Sequence, residues 1–249
     1  MLRCRSSTKN GCSKPALLER VGLTTGLIIF FITGYFSVGL SRDPADAREL
    51  AVSLDAQIPF VAQSIWVYLS LFPAALIPLF VVRCPRLLRR TALAYAAVIA
   101  TSLVCFMVFP VTSAKLRVPP TILDVTRPSD WAVSLLYSVD PPYNLFPSLH
   151  LSIAVLAAFS AWKAAKLYGA VMFIGVSVVA VSVCVIKQHF LLDALSGIVL
   201  AAVLGTLLLL PYQPESGVTP GYSWRGPVTY IAFLIFVYAG LYISYLSTL

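Results

Sequence analysis

The sequence predicts an all-α, polytopic membrane protein, and three observations carry that expectation. Apolar residues make up 59% of the chain and charged residues 11%, a balance far from that of a soluble domain. Several apolar stretches reach the ~20 residues that a helix needs to cross a bilayer. None shows the two-residue alternation of a membrane β-barrel.

Seven spans follow: residues 21–40, 60–82, 91–110, 149–165, 169–186, 190–210 and 228–247. Residues 1–20 are polar and basic, with no cleavable signal pattern, and are expected to form a cytoplasmic N-terminus. Residues 21–210 read as one transmembrane domain. Residues 211–249 read as a Pro/Gly-containing cytoplasmic loop and an additional C-terminal transmembrane helix.

Two connections have patterns of their own. In 41–59, Asp43 and Pro44 suit the N-cap and first turn of a helix. Ala47, Leu50, Ala51, Leu54 and Ile58 then keep helical spacing, which predicts one amphipathic helix on the membrane surface. Segment 111–148 is the longest connection, of a length that is often functional. In it Ser129 is expected to cap a short helix from Asp130 to about Tyr137, with Trp131, Val133, Leu135 and Leu136 at the interface.

The net charge of +8 encodes topology. Twelve of the eighteen basic residues fall on one side of the seven-span arrangement, against Arg42, Arg48, Lys115, Arg117, Arg127 and Lys187 on the other. That is the positive-inside pattern, and it disfavours a nucleic-acid partner. The five cysteines form no CxxC pair and no cluster with histidine, so neither a metal nor a cofactor is expected.

The chain has only two histidines, His150 and His189, 39 positions apart. One helical hairpin spans that distance and returns both to the same membrane face. Ser148 is a suitable N-cap with His150 in the first turn, where free N–H groups and the helix dipole favour an anion. His189 and Asp193 are at i and i+4, so the carboxylate can fix the imidazole tautomer. Behind His150 come Ala154, Ala157, Ala158 and Ala161; behind His189 come Gly197, Ala201 and Gly205. Such small-residue stripes let membrane helices approach closely, so each histidine lies on a packing face.

Pro147-Ser148-Leu149-His150 and His189-x-x-x-Asp193 resemble the second and third motifs of the type 2 phosphatidic acid phosphatase (PAP2) superfamily, over roughly residues 60–210. The wording from Tyr143 to His150 and from Gln188 to Asp193 is most similar to the inositol phosphorylceramide synthase and sphingomyelin synthase-like branch. The resemblance implies a six-helix core, to which the seventh span is an addition. It implies a phosphohistidine nucleophile at His189, an orienting carboxylate at Asp193, a leaving-group acid at His150 and phosphate binding at Ser148. The common family pattern has Gly where Leu149 stands, Arg where Val183 stands and Lys where Pro120 stands. Arg127-Pro128 fits the end of the first motif, and Lys115, Arg117 and Lys187 are candidates for the missing positive charge.

The expected function is therefore an integral membrane phosphatase or phosphotransferase acting on a lipid phosphate at the extracytoplasmic face. The acceptor is water, or an alcohol in a headgroup-transferase reading. Asp140, Tyr143 and Asn144 are candidate headgroup contacts, with turn formation beside Pro141 and Pro142 as their alternative role. A seven-helix transporter is disfavoured because ionisable residues gather at one face and none lies near the centre of a span. A non-catalytic scaffold is the third reading. Compact size points to a bacterial inner membrane.

Overall fold

The computed structural model describes residues 17–41, 43–213 and 225–248. The basic residues expected in segment 1–16, Arg42 and most of the loop after the sixth span lie outside the described residues. Those described are helices joined by irregular connections, with no β-strand among them. The membrane-length helices are α1 (Leu17–Leu40), the α3 and α4 pair (Ile65–Leu69 and Leu71–Val81), α5 (Pro85–Val108), α8 (Lys166–Val185), α9 (Leu191–Leu208) and α10 (Arg225–Leu246). Six segments are long and apolar enough to cross a membrane, and α7 (Leu149–Ala164) is a shorter apolar helix of 16 residues.

Helix α7 is the hub, packed against α4, α5, α8 and α9. Its residues Leu149, Leu151, Ala154, Val155, Leu156, Ala157, Ala158 and Ala161 are all buried. A helix enclosed on most sides needs small side chains, which explains its run of alanines. The outer helices are one-sided. On α8, Leu167, Val171, Ile174, Val178 and Val181 repeat at helical spacing and are exposed. In a bundle this apolar, Ile174, Val178 and Val181 face lipid, while Leu167 and Val171 border a cavity.

The second span has a local irregularity, and one expectation needs correction. Within the second span α3 passes into α4 at Ser70, which keeps its bonds to the Trp66 carbonyl and from the Ala74 N–H at 3.3 Å, while the Leu69 carbonyl lacks its partner. Pro73 has no N–H to give the Leu69 carbonyl, and the Ser70 side chain instead donates to the Val67 carbonyl at 2.6 Å. The predicted amphipathic helix over 44–58 is broken. Asp43 caps only a short 3-10 turn, through the Ala45 N–H at 2.9 Å. The backbone of Arg48 then bonds to the Pro110 carbonyl at 3.0 Å and to the Thr112 N–H at 2.9 Å. A helix resumes only at α2 (Ser53–Gln57). Long-range backbone pairing here overrides an apolar periodicity that reads as helical.

The long connection folds around α6 (Pro128–Val139). Its N-cap is Arg127, with Pro128 at the first helical position, and not Ser129. Ser129 accepts from the Trp66 indole N–H at 3.0 Å, which ties α6 to α3. Val133 is fully buried, while Trp131, Leu135 and Leu136 are half-buried. Helix α10 packs on α4 and α6 and hangs by tyrosine hydroxyls: Tyr230 donates to the Ser70 carbonyl, Tyr238 to that of Trp66 and Tyr245 to that of Thr126.

Candidate active site

The start of α7 is locked to α9 by main chain. Ser148 caps α7 by accepting the Leu151 N–H at 3.4 Å. Its own N–H donates to the Asp193 carbonyl at 3.0 Å. One turn along, the Ser152 hydroxyl lies 2.8 Å from both the Ser148 and the Gly197 carbonyls. A Cβ on Gly197 would lie 2.3 Å from the Ser148 carbonyl oxygen, and one on Gly205 2.7 Å from the Phe159 ring. The small-residue stripe of α9 is therefore the surface on which α7 sits.

His189 lies in the turn between α8 and α9. Lys187 adopts a left-handed φ of 57° there. The N–H groups of both Gln188 and His189 then fold back on the Val183 carbonyl at 3.1 Å. A strap from the 41–59 connection holds this turn. The Lys187 ammonium donates to the Asp55 and Ile58 carbonyls at 2.9 and 2.5 Å. The Asp55 carboxylate accepts the N–H of Leu191, the first residue of α9, at 2.9 Å and that of Val52 at 2.8 Å. Asp55 thus caps α9 from outside the helix, a role its sequence position gave no sign of.

These supports bring the two histidines together. His189 Nδ1 meets Asp193 Oδ2 at 3.2 Å, and its Nε2 lies 3.4 Å from both Ser148 Oγ and His150 Nδ1. Ser148 and Asp193 are 0% exposed, His189 2% and His150 7%. His150 Nε2 faces the Tyr68 hydroxyl at 3.4 Å, and its ring is edged by Tyr35, Tyr68 and Phe72. Contacts this long are usual in unliganded sites and tighten around substrate.

A second buried polar cluster adjoins the pair. Asp140 accepts from the Tyr35 hydroxyl at 2.7 Å and from the Gln188 amide, and lies 3.6 Å from Arg117. Burial pushes its carboxyl above the usual range, opposed by Tyr35, Arg117 and His189. The Arg117 side chain is only 9% exposed; it donates to the Tyr137 and Asp140 carbonyls at 2.9 Å and stacks on the Tyr137 ring. Asn144 donates to the Tyr35 carbonyl at 2.6 Å. Arg117 Nε, Gln188 Oε1, Asn144 Oδ1 and Asp193 Oδ1 are buried without a hydrogen-bond partner among the described residues. Tyr143 lines a cavity of about 250 Å³ that opens over Asp140.

The other basic residues expected here are engaged elsewhere. Lys115 is exposed and paired with Glu49 at 2.8 Å, and Arg127 is exposed and paired with Asp124 at 3.0 Å. Lys187 spends its donors on the strap. Val183, where the family pattern places an arginine, is fully buried in the apolar cluster with Val179, Cys184 and Ile186. Leu149 fills core space among Phe106, Val155 and Leu156. Among the described residues no group of three His, Cys, Asp or Glu side chains could hold a metal ion.

Residues 47–207, well over half of the chain, match the family described as the PAP2 superfamily. The chain belongs to the PAP2 superfamily. No curated protein and no solved structure matches it. The matched stretch of this PAP2 protein runs from the Arg48 bridge to the end of α9. Tyr35, on α1, therefore reaches the polar cluster from outside it. Tyr35, Asp55, Tyr68 and Gln188 escaped sequence reasoning, since each acts across long chain separations that no periodicity marks.

Proposed function

We propose that the protein is a lipid phosphate phosphatase or phosphotransferase working through a phosphohistidine. One observation carries this reading: Asp193 holds His189 Nδ1 while His189 Nε2 faces both Ser148 and His150. A carboxylate at Nδ1 keeps the proton there and leaves a lone pair on Nε2. That lone pair attacks phosphorus. The bond to the leaving oxygen breaks, its electron pair stays on oxygen, and His150 supplies the proton. Water or an alcohol then attacks the phosphohistidine, gives its proton to His150, and returns the P–N electron pair to His189.

The Ser148 hydroxyl and the α7 N-terminus suit the phosphoryl oxygens. The unpartnered Nε of Arg117 makes it the cation favoured for the clamp. The pairing of Lys115 and Arg127 and the strap role of Lys187 speak against them. An apolar cavity of about 610 Å³ between α4, α7, α8 and α10 supports a lipid substrate. It begins at Ala154, one turn along α7 from His150, and continues to Ala164, so acyl chains would lie beside the hub helix. The excess of basic residues away from the histidines supports an extracytoplasmic site.

A specific feature favours an alcohol acceptor as the second reading. Gln188 Oε1 and Asn144 Oδ1 are buried acceptors lacking donors, and acceptor hydroxyls would satisfy them, as in the headgroup transferases of the synthase-like branch. The experiment is turnover of a labelled lipid phosphate by purified protein, with and without candidate alcohols. Free phosphate alone supports the phosphatase, and a labelled new lipid supports the transferase. His189→Ala should abolish both without loss of folding; retained turnover overturns the mechanism.

A further inference from the structure

We infer that Tyr68 is a positioning residue that ties up Nε2 of His150 and so makes Nδ1 the nitrogen that gives and takes protons. The inference rests on the phosphohistidine reading above. Tyr68 is fully buried on α3, and among the described residues its hydroxyl makes one hydrogen bond, to His150 Nε2 at 3.4 Å. The two other aromatic groups around the ring cannot do this work. Phe72 has no polar atom, and the Tyr35 hydroxyl is committed to Asp140 at 2.7 Å. They hold the plane of the imidazole, and Tyr68 alone addresses a ring nitrogen.

A phenol suits this task because its hydroxyl both donates and accepts. In the resting enzyme a neutral His150 accepts the Tyr68 hydroxyl at Nε2, which puts the ring proton on Nδ1. When His150 is charged, the phenol oxygen accepts Nε2–H, and Nδ1 again carries a hydrogen. In both states Nδ1–H points at His189 Nε2, 3.4 Å away, where the substrate must enter. The charged ring passes its Nδ1 proton to the leaving oxygen, which keeps the electron pair of the broken P–O bond. During turnover alone the ring thus passes through the other neutral form, with its hydrogen on Nε2 and the Tyr68 hydroxyl turned to accept it. The empty Nδ1 takes the proton of the incoming water or alcohol, which restores the charged form. Asp193 plays the matching part for His189, so the two rings meet as donor and acceptor.

Without the phenol, neutral His150 can place its proton on Nε2 and turn a lone pair toward the lone pair of His189. The test is Tyr68→Phe, read in two ways. With an alkyl or lipid phosphate, whose leaving oxygen needs a proton, kcat/KM, which reports phosphohistidine formation and not its hydrolysis, should fall by roughly 10- to 100-fold, less than the 10²–10⁴-fold that a general acid itself contributes. With p-nitrophenyl phosphate, which leaves unprotonated, the fall should stay under about threefold on the same reasoning. An equal fall on both substrates, or none on either, overturns the inference. The second reading needs no turnover. With only two histidines in the chain, ¹⁵N-histidine spectra of the purified protein report both rings. Tyr68→Phe should shift the His150 nitrogens away from a single Nδ1–H tautomer and leave those of His189 in place; unchanged His150 signals overturn the inference. Wild-type protein inactive on both substrates would instead count against the phosphohistidine reading, while the spectra would still decide whether Tyr68 holds Nε2.

Discussion

The Asp55 carboxylate accepts the Leu191 N–H at 2.9 Å across 136 positions of sequence. It thereby supplies α9 with the N-cap that Phe190, the residue at that position, cannot provide. It is 5% exposed, so water cannot replace it easily. Asp55→Ala should cost about 1–2 kcal/mol, the upper range for a lost cap. Asp55→Asn should recover most of that. Thermal unfolding in detergent checks both values, and Asp55→Ala should lower kcat because Asp193 lies in the first turn that Asp55 caps.

Gly197 should tolerate no side chain. A Cβ 2.3 Å from the Ser148 carbonyl must push α9 away from α7, and the atom it meets is backbone. Gly197→Ala should destabilise by about 1–3 kcal/mol, as overpacking usually does. It should also lower turnover more than Gly240→Ala, at a position where a new Cβ meets nothing. Comparable melting temperatures for the two variants would show that the helices yield there.

The clamp should depend on Arg117 and not on its neighbours. Lys115→Ala and Arg127→Ala remove exposed charges already paired with Glu49 and Asp124. Each should change kcat/KM by less than about twofold, since surface pairs contribute little. Arg117→Lys keeps the charge but loses the fork that spans the Tyr137 and Asp140 carbonyls, and should lower kcat/KM by roughly tenfold or more. Steady-state kinetics on one lipid phosphate separates the three.

Asp140 should make stability depend on pH with a defined sign. Burial raises its carboxyl above the ordinary 3.8. A group whose pKa is higher folded than unfolded stabilises fully below the unfolded value and loses that contribution as pH rises through the folded one. The melting temperature of wild type relative to Asp140→Asn should therefore decline as pH is raised from about 4 to 7. A difference that grows over this range would mean that Arg117 and Tyr35 outweigh desolvation.

Much of this arrangement is legible in the sequence because it is written in helical period. His189 and Asp193 share a face by spacing, Ser148 is a capping residue in front of an apolar run, and Gly197, Ala201 and Gly205 trace the contact line of α9. What is illegible is what crosses the fold. Tyr68 meets His150 over 82 positions, and Lys187 reaches Asp55 over 132, and neither carries a local pattern. The failed helix over 44–58 has the same origin. Its apolar spacing is real, but the Arg48 backbone finds better partners beside Val111. The basic residues mislead for another reason: charge alone does not say that the Arg117 side chain, 9% exposed, lies against Asp140 while Lys115 and Arg127 stay in solvent.

The bond from the Ser148 N–H to the Asp193 carbonyl joins α7, which carries His150, to α9, which carries Asp193, through main chain at both ends. No side-chain truncation deletes it, so an alanine scan of the site would pass over one of its principal joints. Proline at position 148 would remove the donor. More broadly, part of what sets the separation of the two histidines is a bond that every amino acid except proline can make at position 148.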